Sequence, residues 1–217
     1  MKYKIRHNHF VFIILLFSFI SKGFSQEKNK KLVGALYFTY NDFFRDEKSF
    51  SVYKGNGSFS KNNLTEVIKI KLKEKDSSLV YKPGDIFGYT DGKDKYRYYK
   101  SKNNPLFTGY YKVKEVGYVI IYEKQVLYKA TKGSKLKGLV THVFFSTEFN
   151  SPIRELTYEN LSEEFKTNAN VLYMIDKMES KCKSCITKKT RKGYNINIQI
   201  TKYIKSQVGN HTIKSSF

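Results

Sequence analysis

The chain has no tryptophan, three prolines and two cysteines among its 217 residues. Two cysteines rule out a disulfide-rich scaffold, so stability has to come from an apolar core, for which 17 Phe and 18 Tyr are available. Histidine is scarce. His7 and His9 fall in the first 25 residues, leaving His142 and His211, whereas a structural zinc site takes four ligands. No metal site and no cofactor are expected. Arginine occurs only at 6, 45, 97, 154 and 191, although Lys and Arg together number 40. Proteins that read phosphates or base edges specifically lean on the planar arginine fork, so sequence-specific nucleic-acid binding is not expected. There is no G-x-S-x-G elbow, and Gly55-Asn56-Gly57 lacks the rest of a phosphate-cradling loop. The 19 acids include no recognisable catalytic carboxylate pair.

What is abundant is positive charge, +21 over the whole chain. Two accounts fit it. One is composition: Lys, Asn, Ile, Phe and Tyr all use A/T-rich codons, and a low-GC genome yields such a balance without a polyanion partner. The other is weak attraction to anionic surfaces.

The N-terminus reads as a secretory signal. Lys2, Lys4 and Arg6 precede an apolar run over residues 10–20, and Gly23 and Ser25 are small residues before a cut ahead of Gln26. The run of 11 residues falls well short of the roughly 20 that span a bilayer. No cysteine lies near the cut, so a lipid anchor is not expected. The leader holds four basic residues and no acid, so the remainder carries 21 less 4, or +17. The expected organisation is a signal peptide at 1–25, a flexible stretch at 26–33, one β-rich domain at 34–205 and a loose tail at 206–217. An exported chain at the periplasm, outer-membrane surface or exterior follows, with no membrane-spanning segment after cleavage.

Along the domain, residues 34–40 read as a first strand. Ile68, Ile70 and Leu72 alternate with Lys69, Lys71 and Lys73, the period of a half-buried strand with a lysine-coated outer face. Residues 86–89 and 96–99 flank Asp91-Gly92 as a hairpin, and 110–113 and 118–122 pair around a turn at 115–117. Residues 125–130 and 139–146 follow, separated by the glycine- and lysine-rich 133–138. Thr157 is placed to cap a helix over 158–165, and Asn168 to cap one running to about 179. On the latter, Val171, Met174, Ile175 and Met178 share a face. Ile196, Ile198 and Ile200 alternate with polar residues, the pattern of a closing strand. The expected fold is α+β and mostly β, an antiparallel meander with a C-terminal helical hairpin and a final strand.

Residues 34–43 (GALYFTYNDF) resemble a G-x-Y-x-T-Y-x-D-F opening. Asp85-Ile86-Phe87-Gly88-Tyr89, with Tyr96-Arg97-Tyr98-Tyr99, resembles an aromatic-Gly-aromatic block followed by Tyr-Arg. Together with Tyr118-Val119-Ile120-Ile121-Tyr122 and the helix at 156–165, these are similar to a group of small exported proteins of Bacteroidetes bacteria without an assigned function. The motifs are short and structural. The resemblance implies an envelope or extracellular address and brings no catalytic residues.

Two features remain that could carry chemistry. Cys182-Lys183-Ser184-Cys185 is expected to close a local disulfide in an oxidising compartment, with a thiol oxidoreductase as the alternative. Eight tyrosines crowd residues 89–122, interleaved with basic residues. Tyr96, Arg97, Tyr98, Tyr99, Tyr111 and Lys112 form the candidate binding face, because amphipathic rings beside cations stack sugars or bases or dock a protein. The sequence thus suggests a binding or structural protein of the envelope whose partner is an envelope protein or glycan. An envelope enzyme and a non-specific polyanion binder are the competing classes.

Overall fold

The computed structural model describes residues 30–63, 65–75, 77–102, 104–128, 138–182 and 184–214. The signal peptide expected at 1–25, residues 26–29 of the stretch expected to be flexible, the far end of the strand expected at 125–130 and the lysine-rich 133–137 lie outside the described residues.

The fold is α+β and mostly β, as the alternation patterns imply. Its frame is an eight-stranded sheet in which every pairing is antiparallel. Strands β6 (Gly88–Thr90), β7 (Lys95–Tyr99), β8 (Gly109–Val116), β9 (Ile120–Tyr128), β10 (Gly138–Ser146) and β11 (Arg154–Glu155) follow one another as a plain meander. β1 (Leu32–Tyr37) joins beside β6, and β2 (Phe50–Tyr53) forms the edge beyond it. Between β2 and β6 the chain leaves to make a separate sheet of β3 (Gly57–Lys61), β4 (Ile68–Leu72) and β5 (Ser78–Tyr81).

The small sheet lies against one face of the large one. Ile68 and Ile70 are fully buried in a cluster with Leu36, Tyr89 and Tyr110, while Lys69 and Lys71 are exposed. Each such aliphatic side chain contributes about 1.5–3 kcal/mol through its removal from water. β4 is the central strand of its sheet, so its lysines coat a solvated face and guard no edge. Gly34 makes the approach possible, since a Cβ there would lie 2.3 Å from the Phe59 ring of β3.

Helices cover the other half of the same face. α1 (Tyr40–Arg45) comes early and caps the opposite side. α2 (Tyr158–Glu164), α3 (Ala169–Lys181) and α4 (Asn195–Lys214) pack with Val119, Ile121 and Phe145 of the sheet. Thr157 and Asn168 cap α2 and α3 as expected, accepting from the amides of Asn160 at 3.2 Å and Val171 at 3.2 Å. α3 buries Val171, Ile175 and Met178 at helical spacing.

The C-terminal end departs from the sequence pattern. The final strands are two short ones, β12 (Lys189–Thr190) and β13 (Gly193–Tyr194), and the isoleucine segment that read as a closing strand opens α4. Ile196 and Ile200 are fully buried, and their spacing of four is also one helical turn. Asn197 fixes the outcome. It accepts from the Val119 amide at 2.9 Å and donates to the Val119 carbonyl at 3.0 Å and to Glu115 Oε1 at 2.9 Å. A strand would turn Asn197 away from the isoleucines' face and lose this clamp. α4 then continues to Lys214, past residue 206, where the loose tail was expected to begin.

Candidate functional site

A cleft of about 390 Å³ opens between the β3–β4 end of the small sheet and the face of the large sheet. Its floor is a row of cross-strand neighbours on β6, β7, β8 and β9: Tyr89 pairs with Tyr96, Tyr96 with Lys112, and Lys112 with Glu123. Because side chains alternate along a strand, register alone places all four on one face. The roof is supplied by Lys61 at the end of β3 and by Glu66 in the β3–β4 connection.

Glu66 is the hub. It adopts a left-handed backbone with φ of 58°, uncommon for a residue with a side chain. Its carboxylate pairs with Lys61 at 2.9 Å and Lys124 at 3.5 Å and accepts from the Tyr110 amide at 3.2 Å. Gly109 makes room for this knot. It has φ of +133°, and a Cβ there would lie 2.6 Å from Lys124 Nζ and 3.0 Å from the Glu66 carboxyl carbon. Burial pulls the Lys124 ammonium below the ordinary lysine value, and Glu66 pushes it back up in part. Lys124 also donates to the Thr108 carbonyl at 3.0 Å.

The remaining charges in the cleft are answered as well. Lys112 pairs with Asp94 at 2.5 Å, and Glu123 with Lys114 at 3.5 Å and Lys189 at 3.6 Å. Tyr194 donates to Glu123 at 2.8 Å. Burial, chiefly, raises the pKa of Tyr89, Tyr96 and Tyr110 well above the usual 10, so these phenols stay protonated at neutral pH. Tyr110 is 3% exposed, and its hydroxyl is buried without a hydrogen-bond partner among the described residues. Leaving such a group unsatisfied costs about 1–3 kcal/mol.

The structure divides the six residues expected to share a binding face. Tyr96 and Lys112 line the cleft. Tyr98 points to the same side but packs into the core between the two sheets. Arg97, Tyr99 and Tyr111 lie on the opposite face, because they alternate with the others along β7 and β8. There Arg97 is buried, donating to the Tyr122 hydroxyl at 3.1 Å and the Ser151 carbonyl at 2.7 Å. That is an anchor for the β10–β11 connection. Lys61, Glu66 and Glu123 carried no local signal in the sequence.

Cys182 and Cys185 form the expected disulfide, with Cα atoms 5.3 Å apart. Cys182 is the C-cap of α3, the negative end of the helix dipole, which disfavours the thiolate that redox catalysis needs. His142 bonds Glu155 at 2.8 Å on the face away from the cleft. Among the described residues no group of three or more His, Cys, Asp and Glu is placed to hold a metal ion, and no helix is long and apolar enough to cross a membrane.

Comparison with family models, with curated proteins and with solved structures yields no match to this chain. The functional reading therefore rests on the geometry of the cleft.

Proposed function

We propose that the protein is an exported, non-catalytic binding protein of the cell envelope that holds its ligand in the cleft between the small sheet and the large one. The observation that carries this is the Tyr89–Tyr96–Lys112–Glu123 row, a continuous aromatic-to-polar strip on a rigid sheet. Strands hold such a strip in fixed geometry, as a binding surface requires, and the buried Tyr110 hydroxyl, without a partner among the described residues, supplies a bonding group beside it.

Each carboxylate in the cleft is tied to lysines, Glu66 to Lys61 and Lys124 and Glu123 to Lys114 and Lys189. The leader at 1–25, the disulfide and the likeness of residues 34–43 and 85–99 to exported Bacteroidetes proteins favour an envelope or extracellular address. The test is capture from envelope extract of the producing cell. Wild-type protein beginning at Gln26 should retain a component through a high-salt wash, and Tyr96→Ala should lose it. Retention that vanishes with salt for both proteins would mean that net charge alone does the binding.

A further inference from the structure

Every charged group lining the cleft already has a partner of opposite sign, although five lysines face three carboxylates, and this pairing narrows the ligand class. Lys61 and Lys124 share Glu66, Lys112 has Asp94, and Glu123 has Lys114 and Lys189. A phosphorylated or carboxylated ligand would have to compete with carboxylates already seated on these lysines. A purely apolar ligand would bury Lys112, Glu123 and Gln125 against itself and leave them poorly solvated. The remaining chemistry is a ligand that is neutral, rich in hydroxyls and apolar on one flat face.

Building on the binding role proposed above, we infer that the cleft takes a neutral oligosaccharide. Tyr96 is half-buried, with one face of its ring covered by Tyr89, stacked at a centroid distance of 4.5 Å and 6° between planes. The pair forms a rigid aromatic platform at the head of the cleft, against which the C–H face of a pyranose ring packs. Beyond it, Lys112 and Glu123 offer donors and acceptors to hydroxyls without requiring net charge. The buried Tyr110 hydroxyl is the internal polar group. Lys61, whose ammonium lies 5.8 Å from the Tyr110 ring, has the flexible stem that must shift for a sugar hydroxyl to reach it. A cleft of about 390 Å³ is within the range of about 300–1,000 Å³ typical of small-molecule sites.

The experiment is calorimetric titration of the protein from Gln26 with neutral hexasaccharides (β-1,4- and β-1,3-glucan, α-1,4-glucan, mannan, xylan), alongside the anionic hyaluronan hexasaccharide, in low and high salt. At least one neutral sugar should bind with an affinity that changes less than about twofold between salts, because no counterions are released. Tyr96→Ala should weaken it by about tenfold or more, in line with loss of a stacking platform. Tyr110→Phe should weaken it by a few-fold while preserving packing. Thr141→Trp, at an exposed wall position, should block the cleft without touching the core. Binding of the anionic sugar alone, no binding to the neutral set, or neutral binding indifferent to Tyr96→Ala and Thr141→Trp would overturn the inference. If neutral sugars fail while salt-resistant envelope capture still depends on Tyr96, the binding role stands and its ligand is of another class.

Discussion

Tyr89 and Tyr96 face each other across the β6–β7 pair with ring planes 6° apart, and they differ in what covers them. Tyr89 is 3% exposed beneath the small sheet, whereas Tyr96 is only half-buried and opens onto the cleft. Structure and recognition therefore part at one stacked pair. Tyr89→Ala is expected to destabilise the fold by about 3–5 kcal/mol, as truncation of a buried ring does. Tyr96→Ala should cost about 1 kcal/mol, the scale of a half-exposed aromatic pair. Urea unfolding followed by circular dichroism checks both.

Arg97 presents a different dependence. The residue is 4% exposed, its guanidinium held by the Tyr122 hydroxyl and the Ser151 carbonyl, with Phe87 and Tyr122 rings 5.6 and 5.9 Å away. Arg97→Ala should remove about 3 kcal/mol or more, because it deletes the hydrogen bonds to Tyr122 and Ser151 and leaves a void. The β10–β11 connection should become the first segment to exchange its amides. Arg97→Ala leaving the denaturation midpoint in place would contradict this role.

Acid stability has a nameable contributor in Asp46. Burial pushes its carboxyl up, but hydrogen bonds from Tyr37, Lys48 and Lys95 outweigh that and bring its pKa to about 2, below the ordinary 3.8. The unfolded chain then binds the proton first, so this contribution is present above pH of about 4 and is lost as pH falls through 2. The side chain is 58% exposed, so the effect is small. Asp46→Asn should flatten that part of the stability–pH curve and leave neutral pH nearly unaffected.

The disulfide closes a loop with a sequence separation of 3. In the chain-entropy picture so short a loop contributes about 2 kcal/mol at most. The double variant Cys182→Ser with Cys185→Ser should fold, keep its cleft and retain envelope capture. Wild-type protein should show no turnover in a disulfide-reduction assay, since Cys182 lies at the wrong end of α3 to be an activated thiol. Sustained turnover would revive the oxidoreductase alternative.

The sequence was most legible where one side of an element is wet and the other dry. β4 could be read residue by residue because its isoleucines and lysines alternate, and α2 and α3 because Thr157 and Asn168 are good caps before apolar stripes. The error at Ile196 and Ile200 arose because a spacing of four satisfies both periods. What decides for the helix is the bond of Asn197 to Val119, 78 residues away. α1 went unread because it has six residues, although Thr39 and Asp42 form a capping box that announces it. The cleft was half visible. Tyr96 and Lys112 stood out as an aromatic beside a cation, but a single sequence does not disclose that register aligns them with Tyr89 and Glu123. Nor does it reveal that β3 folds over to bring Lys61 and Glu66 onto the same space.

Hydrogen exchange read by mass spectrometry, with and without the envelope component retained at high salt, tests the central claim most directly. The account predicts slowed exchange confined to residues 61–66, 95–99, 109–112 and 123–125, the strands and connection that surround the cleft. Protection restricted to the opposite face, around residues 40–45 and 147–153, or no localised protection at all, would contradict it.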